Sequence, residues 1–323
     1  MLAQSPGAAI SRPRHLLSIG ELEPAEARSL LDLAARVKRD PDAFRGRLAG
    51  GRVGMLFDTP STRTRVSLES AAWTLGMLPI VLRPDEVRLG GRETIADTAR
   101  ALSLYLDVLV IRTADDGRIH ELAQAASIPV INALSNDHDP CQGIADLLTI
   151  EEEFGTFAGI QAAFIGDGDN VCHSLIEGSA AVGLQLRVAS PHFYEPSPSI
   201  VEHAQRLAAA TGGSIYLTDD PDDAVTGAEV VYADVWTSIG RERERAARDL
   251  AFRRFLVDER LMGLASASAI FMHCLPARRG KEVATSVIDG RASRVWRQAA
   301  NRLHSDTAVL YAAVTGDFTG ERV

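Results

Sequence analysis

The chain alternates short apolar runs with longer segments whose apolar residues recur every three or four positions. In the first half the runs fall at 53–57, 78–82, 108–111 and 128–131. Near-continuous apolar runs of this length suit strands covered on both faces. The segments between them have helical spacing. Over 24–38, Leu30, Leu31, Leu33 and Val37 share one stripe. Pro24 suits the first helical position, where its missing N–H costs nothing. This alternation predicts a parallel sheet with crossover helices.

A helix over 144–154 leads into a second half, where the pattern restarts with strands at 162–165, 186–189, 230–232 and 269–272. Residues 241–254 are dense in charge and lack apolar spacing, which predicts an exposed loop or a surface helix. A last helix is expected over 295–314. Pro6, Gly7 and Pro13 make residues 1–13 an expected mobile tail. The fold class that follows is α/β: two domains, each a mainly parallel sheet flanked by helices, with a cleft between them.

Composition narrows the function. The chain has 323 residues, enough for two domains of ordinary size, and 46% of them are hydrophobic. No stretch approaches the roughly 18 uncharged apolar residues of a membrane span. The N-terminus lacks a basic head followed by an apolar stretch, so a signal peptide is not expected. Cys141, Cys172 and Cys274 are too few and too scattered for a disulfide framework or a metal cluster, and they suit the reducing cytosol. A formal net charge of −9 argues against general nucleic-acid binding. Gly166-Asp167-Gly168-Asp169-Asn170 starts like a dinucleotide fingerprint, but Val171 stands where its third glycine belongs. No nucleotide cofactor and no resident metal are expected.

The densest chemistry lies at Ser61-Thr62-Arg63-Thr64-Arg65, between the run at 53–57 and a helix-like stretch from Val66 to Trp73. A helix N-terminus presents free N–H groups carrying partial positive charge, a favourable place for a phosphate. Hydroxyls at 61, 62 and 64 add donors, and the Arg63 guanidinium adds a planar fork that fits phosphate oxygens. Alone, the run fits a capped helix with solvated arginines equally well. A second segment, His273-Cys274-Leu275-Pro276, follows another apolar run. The two together, in this order and spacing, resemble the aspartate/ornithine carbamoyltransferase family, most closely its ornithine branch. Asp139-Pro140-Cys141-Gln142, Asp234 to Gly240 and Asn301-Arg302-Leu303-His304 extend the resemblance over nearly the whole chain.

The resemblance implies transfer of a carbamoyl group from carbamoyl phosphate to the side-chain amine of ornithine, with no cofactor. It implies that the last helix returns to the first domain. The expected division is 1–150, plus about 295–323, for carbamoyl phosphate and 151–294 for the amino acid. It also implies a homotrimer, no membrane partner, and a place in arginine metabolism. By position, Ser61, Thr62, Arg63, Thr64, Arg112, Gln142, Cys274, Leu275 and Arg302 belong to the carbamoyl phosphate site, with Arg112 facing the carbonyl oxygen. Arg88 would reach the site of a neighbouring subunit. Asn170, Asp234, Ser238 and Ile239 would hold ornithine, with Asp234 and Cys274 beside the reacting amine. Such residues belong beyond the carboxyl ends of strands, where open α/β sheets bind ligands.

Three positions depart from the family pattern. Asp139 stands where the family has a histidine that donates to the carbonyl oxygen, and an ionised aspartate cannot donate. Ile239 replaces a methionine in the loop over ornithine and is stiffer. Arg88 occupies a slot that is often glutamine. Asp139 and Arg88 are therefore expected to pair across a subunit interface; the alternative turns Asp139 to solvent and His138 to the site. These departures keep two other readings open: a carbamoyltransferase with a different amine acceptor, and a catalytically impaired family member serving as a binding or assembly subunit.

Overall fold

The computed structural model describes residues 13–238 and 240–320. The expected tail, apart from Pro13, and Ile239 lie outside the described residues. Two separate sheets form, both wholly parallel. β1 (Arg52–Phe57), β2 (Leu78–Leu82), β3 (Val108–Arg112) and β4 (Val130–Asn132) make the first, in the order β2-β1-β3-β4. β5 (Gln161–Ile165), β6 (Gln185–Ala189), β7 (Ser214–Thr218), β8 (Val230–Ala233) and β9 (Ile270–Met272) make the second, in the order β7-β6-β5-β8-β9. In each sheet the first strand sits inside and its successors add on both sides. The strand order therefore reverses between β1 and β3, and again between β5 and β8.

The helices that position the site are α1 (Pro24–Arg39), α2 (Thr62–Thr74), α3 (Pro140–Phe154), α4 (Asn170–Val182), α5 (Arg245–Ala251) and α6 (Val295–Thr315). The first domain's strands alternate their faces. Val53, Met55, Val108 and Val110 join a core shared with α1, α3, α4 and α6, whereas Leu56, Leu109 and Ile111 face a separate cluster. The shared core also contains Phe164, Val188 and Tyr232 from the second sheet, so α3 and α6 tie the two sheets together. α6 packs on α1, α2 and α3, the return expected of the last helix. Phe44 meets Tyr311 edge to face at 5.5 Å there. Gly143 lets α3 pack closely on its neighbours, because a Cβ on it would come within 2.6 Å of Ile19.

Two expectations need correction. β2 is an edge strand, and its Leu78 and Val81 are exposed rather than covered on both faces. Residues 241–254 are not a plain surface element either. α5 turns Arg248 inward to 2% exposure, and Phe252 is fully buried against Tyr194 and Trp236.

Candidate active site

The chemistry-bearing residues collect at the two places where strand order reverses, the crevices that open α/β sheets use for ligands. In the first sheet, Phe57 stands opposite Arg112, the last residue of β3. The β1–α2 loop therefore leaves the sheet beside the Arg112 guanidinium. Arg112 donates from Nε to Thr59 Oγ1 at 3.1 Å, and Nη1 lies 3.5 Å from Thr64 Oγ1. Ser61 sits at the N-cap of α2 without capping it, so the first-turn N–H groups stay available. Thr62 and Arg63 are exposed at this helix start, and Thr64 is buried. Burial lowers the pKa of Arg112, as do the neighbouring charges of Arg302 and Arg63, while Asp139 opposes the fall.

Across from Arg112, α3 and α6 bring Asp139, Gln142 and Arg302 together. Asp139 caps α3, its carboxylate accepting from Gln142 N at 3.1 Å. Arg302 Nη1 donates to Gln142 Oε1 at 2.7 Å and its Nε donates to Asp306 Oδ1 at 3.1 Å. Arg302 Nη2 lies 3.6 Å from Asp139 Oδ1, is buried, and has no hydrogen-bond partner among the described residues. Burial works against the Arg302 charge, yet Asp306 and Asp139 outweigh it and raise the pKa.

Asp139 departs from the solvent-facing alternative. It is buried rather than turned to solvent, and Arg302 and Arg112 compensate its charge within the same chain. His138 does not face the site. It lies between Glu177 Oε1 at 3.2 Å and Asp116 Oδ1 at 3.8 Å. Within the chain Arg88 is exposed, with Nε donating to Asp85 O at 3.0 Å.

The second crevice is acidic. Ile165 of β5 stands opposite Ala233 of β8. The loop bearing Asp167 and Asp169 thus leaves the sheet beside Asp234. Asp234 Oδ1 accepts from the Cys274 thiol at 3.0 Å and from Val235 N at 2.7 Å. Burial, with Asp234 adding to it, pushes the Cys274 thiol up, so the sulfur is a donor here rather than a base. Burial also raises the Asp234 pKa, opposed mainly by His273. Leu275 follows in the left-handed region at φ 61°, a sparsely populated conformation for a branched residue. Ser238 donates to Asp169 Oδ2 at 2.6 Å. Asn170 is not free in this pocket: its Nδ2 donates to Ser135 O of the first domain, and its Oδ1 accepts from Val171 N. Asp234, His273 and Cys274 offer donor atoms within 4.8 Å of one another. The thiol donates to Asp234, His273 Nδ1 accepts from Leu275 N, and His273 Nε2 lies 3.4 Å from Glu282 Oε1.

Sequence reading missed the residues joining the two crevices. Asp146 is fully buried and accepts from Gln142 at 2.7 Å, Gln298 at 2.7 Å and Tyr232 at 2.9 Å. Gln298 Oε1 in turn accepts from His273 N at 2.9 Å. Burial pushes Asp146 up to about 7. The available signal was a lone carboxylate within the apolar stretch Ile144 to Ile150. Arg248, which pairs with buried Asp167 and donates to Trp236 O at 3.0 Å, gave no signal among the surrounding charges.

A basic crevice facing an acidic one across two parallel sheets defines a two-domain α/β protein built to hold an anion beside a cation. Residues 14–152 match the model of the aspartate/ornithine carbamoyltransferase carbamoyl-P binding domain, and residues 158–313 match that family's Asp/Orn binding domain. The chain belongs to the aspartate/ornithine carbamoyltransferase family. It is 47% identical over 297 residues to an ornithine carbamoyltransferase of Acidothermus cellulolyticus, covering 92% of this chain and 95% of the relative. It is 43% identical to that of Gloeobacter violaceus, over 98% of this chain and 100% of the relative. The ornithine carbamoyltransferase structure from Pyrococcus furiosus superposes with a TM-score of 0.91 at 43% identity, covering 94% of this chain and 98% of that one.

Proposed function

We propose that this protein transfers the carbamoyl group of carbamoyl phosphate to the δ-amine of L-ornithine, giving L-citrulline and phosphate. The observation that carries the reading is the opposition of the two crevices, Arg112 and Arg302 on one side and Asp234 with Cys274 on the other. In this reading the first turn of α2 (Ser61, Thr62, Arg63, Thr64) and Arg302 hold the phosphate. Gln142 and Leu275 bind the carbamoyl amide side, and Arg112 faces the carbonyl oxygen. Asp139 sits behind Arg302 as part of the pocket, and Arg88 reaches a neighbour's site.

Asn170, Asp234, Ser238 and Ile239 hold the amino acid, with Asn170 exchanging its Ser135 contact for the ligand. The neutral amine attacks the carbonyl carbon, a C–N bond forms, the C–O bond to phosphate breaks, and the ammonium proton is lost. Arg112 stabilises the developing oxyanion, and Asp234 orients the amine and takes its proton. Holding both substrates within reach supplies much of the acceleration.

We further propose the division 1–150 plus 295–323 for carbamoyl phosphate and 151–294 for the amino acid. Arginine metabolism in the cytosol fits the product and the three free thiols. Among the described residues no helix is long and apolar enough to cross a membrane. Exposed Leu78 and Val81 on edge strand β2, with Val66 and Trp73 on the adjoining α2, support a homotrimer. The function is tested by following phosphate release from carbamoyl phosphate across a panel of amines. Release that rises with L-ornithine and with no other amine supports the reading; release driven better by another amine overturns ornithine as the acceptor.

A further inference from the structure

Gln142 and Asp146 lie one turn apart on α3, so their side chains leave the same face of the helix. Gln142 Nε2 donates to Asp146 Oδ1 at 2.7 Å, and Gln142 Oε1 accepts from Arg302 Nη1 at 2.7 Å. A guanidinium only donates, and an ionised carboxylate only accepts. The two ends of the Gln142 amide therefore cannot change places. Its oxygen stays on the Arg302 side, toward the phosphate crevice, and its NH2 stays on Asp146.

Asp146 is itself held by elements outside α3. It is fully buried; Gln298 Nε2 also donates to its Oδ1 at 2.7 Å, and Tyr232 OH donates to its Oδ2 at 2.9 Å. Gln298 Oε1 accepts from His273 N at 2.9 Å, in the segment that leads to Leu275. One carboxylate thus reaches both residues assigned to the carbamoyl amide side, Gln142 directly and the Leu275 segment through Gln298. In that reading a bound phosphate draws on Arg302. Gln142 Oε1 then loses its donor, and Asp146 alone still decides which end of the amide faces the substrate. Without Asp146 the amide is free to turn and set its NH2 against the substrate's NH2, donor against donor.

We propose that Asp146 is a positioning residue that fixes Gln142 as a hydrogen-bond acceptor, and so makes the pocket select an acyl phosphate carrying NH2 over one carrying a methyl group. The inference rests on the carbamoyl-transfer reading and adds a residue to it. Asp146 touches no substrate atom; its effect passes through Gln142. A carbamoyl NH2 gives Gln142 Oε1 the donor it needs. A methyl of similar size leaves that oxygen buried and unpartnered, which costs more than the bond alone.

The test compares carbamoyl phosphate with acetyl phosphate, which keeps the phosphate and the carbonyl and has CH3 in place of NH2. Both are titrated calorimetrically at about pH 8, above the value of about 7 to which burial pushes Asp146. The wild type should bind carbamoyl phosphate more tightly by about ten- to a hundred-fold. In Asp146→Ser a hydroxyl that both donates and accepts faces Gln142 and imposes no orientation. Its affinity for carbamoyl phosphate should fall about ten-fold, while that for acetyl phosphate changes by less than about three-fold. Tyr232→Phe removes a bond from the same carboxylate but leaves the hold on Gln142, so it should keep the wild-type preference within about three-fold. An Asp146→Ser variant that keeps the preference, or loses affinity equally for both ligands, overturns the proposal. Equal affinity of the wild type for the two ligands overturns it, and so does a Tyr232→Phe variant that loses the preference. These last two results need no change at Asp146, so a variant there that fails to fold does not protect the proposal. All of these refutations leave carbamoyl transfer standing if the wild type makes citrulline. No citrulline from the wild type sinks both.

Discussion

Replacing Asp139 by asparagine should tighten carbamoyl phosphate. The carboxylate is buried beside the two arginines assigned to the anion, 3.6 Å from Arg302 Nη2. It therefore competes with the substrate for their charge. Asparagine caps a helix about as well as aspartate, so the bond from Gln142 N is retained. Arg302 keeps Asp306 and Gln142 as partners, so its charge is not stranded. At an effective dielectric of about 20, two unit charges roughly 4–8 Å apart interact by about 2–4 kcal/mol, and the lower end is taken for this pair. Looser placement of Arg302 returns part of that. The expected net is about 1.4 kcal/mol, a ten-fold fall in Kd for carbamoyl phosphate by calorimetric titration. Thermal unfolding should change by about 1 kcal/mol or less, since the cap survives. An unchanged or weaker affinity in a folded variant would refute the reasoning, because Asp139 would then not act on the anion site. Asp139→His should also raise turnover, by restoring a donor to the carbonyl oxygen, at a cost of about 1 kcal/mol for the lost cap.

Further outcomes can be checked separately. Arg63→Ala should weaken carbamoyl phosphate by roughly 1.5–3 kcal/mol per lost charge-assisted bond, and calorimetry showing unchanged affinity would remove Arg63 from the site. Arg248→Leu leaves Asp167 buried without its main partner and should cost about 3–5 kcal/mol in denaturant unfolding; a loss below 1 kcal/mol would mean that Asp167 takes up a proton at little cost. His138 offers a pH test. Burial opposes its charge, yet Asp116 and Glu177 hold its pKa up to about 10. A raised histidine contributes stability in full below its unfolded value near 6.5, and that contribution is lost as pH rises to about 10. Wild-type stability should therefore fall over that interval more steeply than that of His138→Gln, and parallel curves would contradict the assignment.

The sheets were legible because both are parallel and covered by helices, which writes each inner strand as an unbroken apolar run. β7 was missed for the converse reason. Ser214–Thr218 is a half-exposed edge strand in which only Ile215 is buried. The phosphate crevice was readable because Ser61 to Thr64 are contiguous, so strand, turn and helix start appear together. The orientation of Asp139 was not, since whether a cap residue turns to water or inward depends on Arg302, on a distant helix. Arg248 was hidden for a related reason: a charge-rich stretch gives no sign that one of its arginines meets a buried aspartate from another loop. Asp146 was readable in principle, as the one carboxylate in an apolar helix segment, but its partners Gln298 and Tyr232 come from other elements.

The most direct measurement follows the carbon atom. Carbamoyl phosphate labelled with 13C at its carbonyl is mixed with enzyme and L-ornithine, and the products are read by NMR and mass spectrometry. The account predicts labelled L-citrulline, carbamoylated on the δ-nitrogen, with one phosphate released for each. Label found only in cyanate and bicarbonate at the rate seen without enzyme, with ornithine unchanged, would contradict it.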